Sequence, residues 1–201
     1  MIQPAAADET GLRRSVEVLD RHGVVGCPTE TVYGLAVNPL SETALEALFT
    51  VKSRDRGRPV LLVVNAPEQL APLVDGISDA AGACIRQFWP GPLSLLFPAS
   101  PGLPDAVTAG SGRVCIRQTS HPVAAALCRA WGGGLTSTSA NLTGEPPALT
   151  AGDACLEGVG LVLDGGTLAP SEPSTVFDPD TRTVLREGKI TREMLRRAGV
   201  L

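Results

Sequence analysis

Between residues 8 and 22 the apolar positions Leu12, Val16 and Leu19 follow a helical spacing, and Gly23 ends the run. A short apolar strand, Val24 to Cys27, leads into Pro28. Ser41 then caps a helix reaching about Ser53, with Leu45, Leu48, Phe49 and Lys52 on one face. Val60–Val64 reads as a strand, and Pro67 and Ser78 open two helical stretches, the second closing at Trp89. Leu93–Phe97 and Arg113–Arg117 are strands, Pro122–Trp131 is a helix stopped by three glycines, and Leu135–Thr138 is a strand. Asn141–Pro147 is a loop. Leu161–Leu163, Thr175–Phe177 and Thr183–Leu185 are strand-like, Asp178 to Asp180 turns between the last two, and a helix follows Thr191. Mixed elements without a repeat or linker predict a single α/β domain over residues 1–201, with a twisted mixed sheet and flanking helices.

Composition narrows the function classes. Of 201 residues, 43% are hydrophobic and only 3% aromatic, so aliphatic side chains must fill the core. With 22 glycines and 17 prolines the chain is rich in loops, where function concentrates. A net charge of −4 does not fit a nucleic-acid coat protein. No secretory signal or spanning segment is visible, since the long uncharged stretch Gln87 to Pro104 holds five prolines. Five cysteines without a C-x-x-C pair and two histidines form no zinc pattern. The chain reads as cytoplasmic, with no membrane association and no metal ligands among its side chains.

The P-loop, the dinucleotide fingerprint and the G-x-S-x-G elbow are absent. Four sets of residues could carry chemistry. Lys52 to Arg58 holds four cations and one carboxylate, a charge run that would ordinarily be a solvated helix end. Yet Lys52 is one of two lysines against fifteen arginines, and it continues the apolar face. An inward ammonium calls for an anionic partner such as a phosphate. Strand alternation puts Arg113 and Arg117 on the face opposite Val114 and Ile116, where they suit a carboxylate or phosphate clamp or simply a solvated edge. Ser137, Ser139 and Asn141 alternate after a strand, as phosphate or ribose binders or as turn residues. The polar stretch Pro28 to Gly34 leaves a buried strand as a turn.

In order along the chain stand Pro28 to Leu35, Lys52-x-Arg54, Phe88 to Pro92, Val114 through Arg117 to His121-Pro122, Ser139 to Gly144, Pro173 to Val176, and Leu185-Arg186 through Gly188 to Thr191. This series resembles the YrdC/TsaC family of threonylcarbamoyl-adenylate synthases over about residues 10–195. The resemblance implies one YrdC-like domain around a basic cavity. It also implies synthesis of threonylcarbamoyl-AMP from L-threonine, bicarbonate and ATP, with Mg²⁺ on the nucleotide and release of pyrophosphate. Partner proteins, the tRNA-modifying threonylcarbamoyl transferases, would then act on an adenosine beside the anticodon, with weak tRNA or RNA binding as a further expectation.

Matched by motif, Lys52, Arg54, Arg113, Ser139, Asn141 and Arg186 correspond to ATP binding, with Lys52 and Arg54 catalytic. Thr31, Arg117, Ser137 and Ser174 correspond to threonine binding, with Arg117 on the carboxylate. If Lys52 meets the triphosphate, Lys52→Ala should lower activity and leave folding nearly intact. Asp55 and Val63 replace a proline and a histidine common in the family, Arg113 replaces a hydroxyl residue, and the resemblance is expected to be to the shorter members, without the extra C-terminal domain of longer ones. Two other readings stand beside this one: a carbamoyl-adenylate-forming enzyme that uses carbamoyl phosphate, and a non-catalytic module for structured RNA.

Overall fold

The computed structural model describes residues 3–53, 55 and 57–201. Arg54 and Arg56 therefore lie outside the described residues. The eleven strands among those residues are β1 (Ala5–Ala6), β2 (Val24–Pro28), β3 (Tyr33–Ala36), β4 (Leu62–Val64), β5 (Leu93–Pro98), β6 (Arg113–Gln118), β7 (Leu135–Thr136), β8 (Thr138–Ser139), β9 (Val159–Asp164), β10 (Thr175–Asp178) and β11 (Thr183–Arg186). They form two mixed sheets rather than one, in the orders β1-β9-β2-β3-β8 and β11-β10-β5-β6-β4-β7. The helices are α1 (Glu9–Asp20), α2 (Glu42–Lys52), α3 (Asp79–Phe88), α4 (Asp105–Thr108), α5 (Pro122–Trp131) and α6 (Arg192–Arg197). Pro67–Leu70 is a 3₁₀ turn.

The local signals explain most of these elements. Asp8, Ser41, Ser78 and Thr191 each cap a helix by accepting a backbone N–H three residues on. Gly132 closes α5 in the left-handed region at φ 82°. In α2 the expected face is buried, with Leu45, Leu48, Phe49 and Lys52 among its covered residues. That helix packs into the larger apolar cluster with Val60, Leu62, Leu95 and Phe177. A smaller cluster beside it joins Leu19, Val25, Leu127 and Leu163.

Two differences from the sequence expectation shape the molecule. The stretch read as a turn after Pro28 contains β3, which pairs antiparallel with β2 in a hairpin. All four β3 residues are buried, so there is no polar alternation to announce a strand. The single strand expected at Leu135–Thr138 is two. Leu135 and Thr136 pair with β4 in one sheet, whereas Thr138 and Ser139 pair with β3 in the other. Ser137 stands at the crossover, its N–H donating to Leu61 O at 2.7 Å. Thr136 stitches the two sheets together, its hydroxyl donating to Leu35 O at 3.1 Å and accepting from Val37 N at 2.9 Å. Gly34 lies under this crossover, and a Cβ there would come within 3.0 Å of Ser137 Oγ. The two sheets therefore meet along a seam that faces the cavity described next.

Candidate active site

Of the nine described site residues expected from the sequence, all but Lys52 line one cavity of about 680 Å³. Arg54 falls outside the described residues. The lining holds Arg113, Arg117 and Arg186 and no acidic residue among the described ones. Both sheets contribute, with Thr31 from the β2–β3 hairpin, β6 as floor, Ser137 to Asn141 from the seam, and Ser174 and Arg186 from the β10–β11 side. A volume of this size lies in the range of ordinary ligand sites.

Lys52 is 3% exposed and points inward, as its place on the α2 face implies. The ammonium nevertheless meets neutral oxygens. It donates to the carbonyls of Ser139 and Asn141, the latter at 2.8 Å, and to Asn141 Oδ1 at 3.2 Å. Thr143 Oγ1 returns a hydrogen bond to Lys52 O at 3.2 Å. Ser139 Oγ donates to Asn141 Oδ1 at 2.5 Å, and Asn141 Nδ2 donates to Glu145 O at 2.5 Å. Lys52 thus stands behind the Ser139–Asn141 wall and fixes its shape. Its removal should therefore disturb the wall as well as the charge, contrary to the expectation of near-intact folding.

Val114 and Ile116 are in the core, and Arg113, Cys115 and Arg117 share the cavity face of β6. Each arginine has its own counter-charge. Arg113 Nη2 donates to Asp178 Oδ1 at 2.8 Å, and Nη1 lies 3.5 Å from Asp180 Oδ2. Asp180 also accepts from Ser78 Oγ at 2.6 Å, so the β10–β11 turn is tied to α3. The sequence marked Asp178 and Asp180 only as turn residues. Arg117, 2% exposed, has its Nε 2.9 Å from Glu30 Oε1. Burial pulls its pKa below the usual guanidinium value, and the Glu30 charge works the other way. Arg186 donates to Ser174 O at 2.9 Å and has no acidic partner among the described residues. Ser174 Oγ in turn sits 2.9 Å from Ser94 Oγ.

Cys115, missed in the sequence, lies in the floor between two arginines. Burial pushes its thiol up to about 12, so it is a protonated wall group rather than a nucleophile. The extended segment after β9 runs along the cavity, contributing Ser171, Pro173 and Ser174. Tyr33 anchors its start by donating to Gly166 O at 2.7 Å and accepting from Gly165 N at 3.1 Å. Its end is held at Gly188, where a Cβ would fall 2.1 Å from Pro173 O. Only a glycine fits there.

The Sua5/YciO/YrdC family, described as telomere recombination, matches residues 17–188. The chain belongs to this family. A threonylcarbamoyl-AMP synthase of Thiobacillus denitrificans is 41% identical over 171 residues, covering 84% of this chain and 90% of that one. A P. abyssi Sua5 structure, described as complexed with L-threonine, superposes with a TM-score of 0.89 at 30% identity. It covers 95% of this chain, which spans 58% of the P. abyssi chain. The E. coli YciO structure has a TM-score of 0.79 at 25% identity, with 94% of both chains covered. These Sua5/YciO/YrdC relatives fit the two-sheet architecture and place this chain in an enzyme family of nucleotidyltransferase type.

Among the described residues no cluster of His, Cys, Asp and Glu could hold a metal ion, and no helix is long and apolar enough to cross a membrane. His121 caps α5, its Nδ1 accepting from Val123 N at 3.3 Å. Burial lowers its pKa, while Glu30 opposes the shift. The unfolded imidazole titrates near ~6.5, so below that pH the unfolded state binds more protons. Stability should be complete above pH ~6.5 and decline as the pH falls toward the lower folded value. His121→Asn keeps a capping side chain. Its melting temperature, followed by circular dichroism, should fall less than that of the parent between pH 7.5 and 5.5.

Proposed function

We propose that the chain makes threonylcarbamoyl-AMP from L-threonine, bicarbonate and ATP. The observation that supports this most is the convergence of the hydroxyl, amide and guanidinium groups of Thr31, Arg117, Ser137, Asn141, Ser174 and Arg186 on one cavity, in a chain 41% identical to a protein of that activity. The threonine amine condenses with bicarbonate to a carbamate and water. A carbamate oxygen then attacks the α-phosphorus, the bond to the bridging oxygen breaks, and pyrophosphate leaves with that electron pair. No protein nucleophile is required, in keeping with a protonated Cys115.

The protein's part is alignment and charge. Arg117 would take the amino-acid carboxylate, and Arg186 with the Ser139–Asn141 wall would face the nucleotide. Arg54 and Arg113 belong to the same ATP set by motif, although Arg113 must share its fork with Asp178. Glu30 and Asp178, the carboxylates beside the cavity-lining Arg117 and Arg113, are engaged with those arginines. Mg²⁺ would accordingly arrive on the triphosphate oxygens as part of the substrate. The product would pass to cytoplasmic tRNA-modifying transferase proteins.

Pyrophosphate release should require both L-threonine and bicarbonate. Release driven by carbamoyl phosphate with threonine inert would instead favour the carbamoyl-adenylate reading. Steeply salt-dependent tRNA binding without any turnover would favour the RNA module.

A further inference from the structure

We propose that Glu30 is a positioning residue whose carboxylate holds Arg117 by its Nε edge and leaves the terminal nitrogens of the fork to the substrate carboxylate. This rests on the reading of Arg117 as the amino-acid carboxylate site. Glu30 is not among the residues lining the cavity, so it acts through Arg117 rather than on the ligand.

Three observations carry the assignment. Arg117 is a buried cation, and a buried cation without a counter-charge is costly. Glu30 supplies that charge side-on. Oε1 lies 2.9 Å from Nε, but neither atom has the alignment of a hydrogen bond, so the contact is attraction without a committed donor. The contact lies on the Nε side, and Arg117 itself lines the cavity, so its end-on, two-pronged edge stays available.

The Glu30 carboxylate is held by one hydrogen bond, and the hairpin that carries it is braced separately. Thr119 Oγ1 donates to Oε2 at 2.7 Å, and Thr119 is pinned just past the end of β6 by its N–H to Val64 O at 3.1 Å. In the hairpin, Thr29 Oγ1 donates to Val32 O at 2.6 Å and accepts from the N–H groups of Thr31 and Val32 at 3.3 Å. The β2–β3 hairpin and the end of β6 thereby set one carboxylate, and that carboxylate sets the guanidinium.

The test uses the full chain. Calorimetry with L-threonine is run first on the parent, and then on Glu30→Gln, Glu30→Asp and Thr119→Val. Pyrophosphate release is measured with each substrate varied alone. The parent should bind threonine; if it does not, the site reading fails and this proposal with it. Given parent binding, Glu30→Gln should raise the KM for threonine about tenfold or more, as losing a well-aligned charged fork implies. Its KM for ATP should stay within about twofold. Glu30→Asp, which keeps the charge, should fall between. Should the Gln variant fail to fold, Thr119→Val, which frees the carboxylate without removing it, must still raise the threonine KM. An unchanged threonine KM in the folded variants, or equal shifts for both substrates, would overturn the role of Glu30.

Discussion

Replacing Lys52 with Met should reduce pyrophosphate release by about two orders of magnitude, roughly 2.7 kcal/mol of barrier. The same change should lower stability, because Lys52 supports the wall it stands behind. The ammonium donates to the Ser139 and Asn141 carbonyls, and a thioether can replace neither bond. Each carbonyl left unpaired in a part-buried setting costs about 1–3 kcal/mol. A drop in melting temperature alongside the loss of activity is therefore expected, with Ser139 and Asn141 no longer held in register with the cavity. Lys52→Arg should not restore activity, since a planar fork at this buried position cannot repeat the ammonium's bonds to the Ser139 and Asn141 oxygens. An active Lys52→Met enzyme with an unchanged melting temperature would show that neither the charge nor the wall depends on this side chain.

Arg117→Met should destabilise the fold by up to about 3–5 kcal/mol, because it leaves the largely covered Glu30 carboxylate without its cation. For a chain of this size that corresponds to a fall of roughly 6–20 °C in melting temperature. Threonine-dependent turnover should disappear as well. The double variant Glu30→Gln with Arg117→Met removes both charges, so it should melt above the single Arg117 variant while remaining inactive. Thermal denaturation of the four proteins in the cycle measures this directly. Equal melting temperatures for the Arg117→Met and double variants would mean that Glu30 left without its arginine carries no cost.

Much of this architecture was legible in the chain because local chemistry announced it. Ser41 and Ser78 mark helix starts, and Leu45, Leu48 and Phe49 mark a buried face. The alternation at Arg113–Arg117 correctly separated core from cavity side chains. What stayed hidden has physical reasons too. The β3 residues are buried on both faces and leave no period-two signal. The break at Ser137 involves a change of partner strand, which no property of Leu135–Ser139 encodes. The inward direction of Lys52 could be inferred from its helix face, but its carbonyl partners belong to a loop far along the chain. Likewise Glu30 stood inside a conspicuous motif, and Asp178 inside a turn, without any local sign that each would sit against an arginine of β6. A carboxylate two residues past a fully buried strand was the available clue for Glu30, since such a charge calls for a partner.

The missing side chain at Gly188 has a consequence for how the sequence can drift. The backbone there presses on Pro173, and Pro173 and Ser174 are themselves part of the cavity lining. Thr175 clasps the same crossing from the other side, its Oγ1 accepting from Gly188 N at 3.0 Å and Ile190 N at 3.1 Å. A methyl group added to the turn would push on the wall of the ligand site while touching no ligand. A side chain at position 188 would thus disturb the ligand site as directly as a change in a residue that handles substrate, and the glycine there answers to the neighbouring backbone rather than to the chemistry.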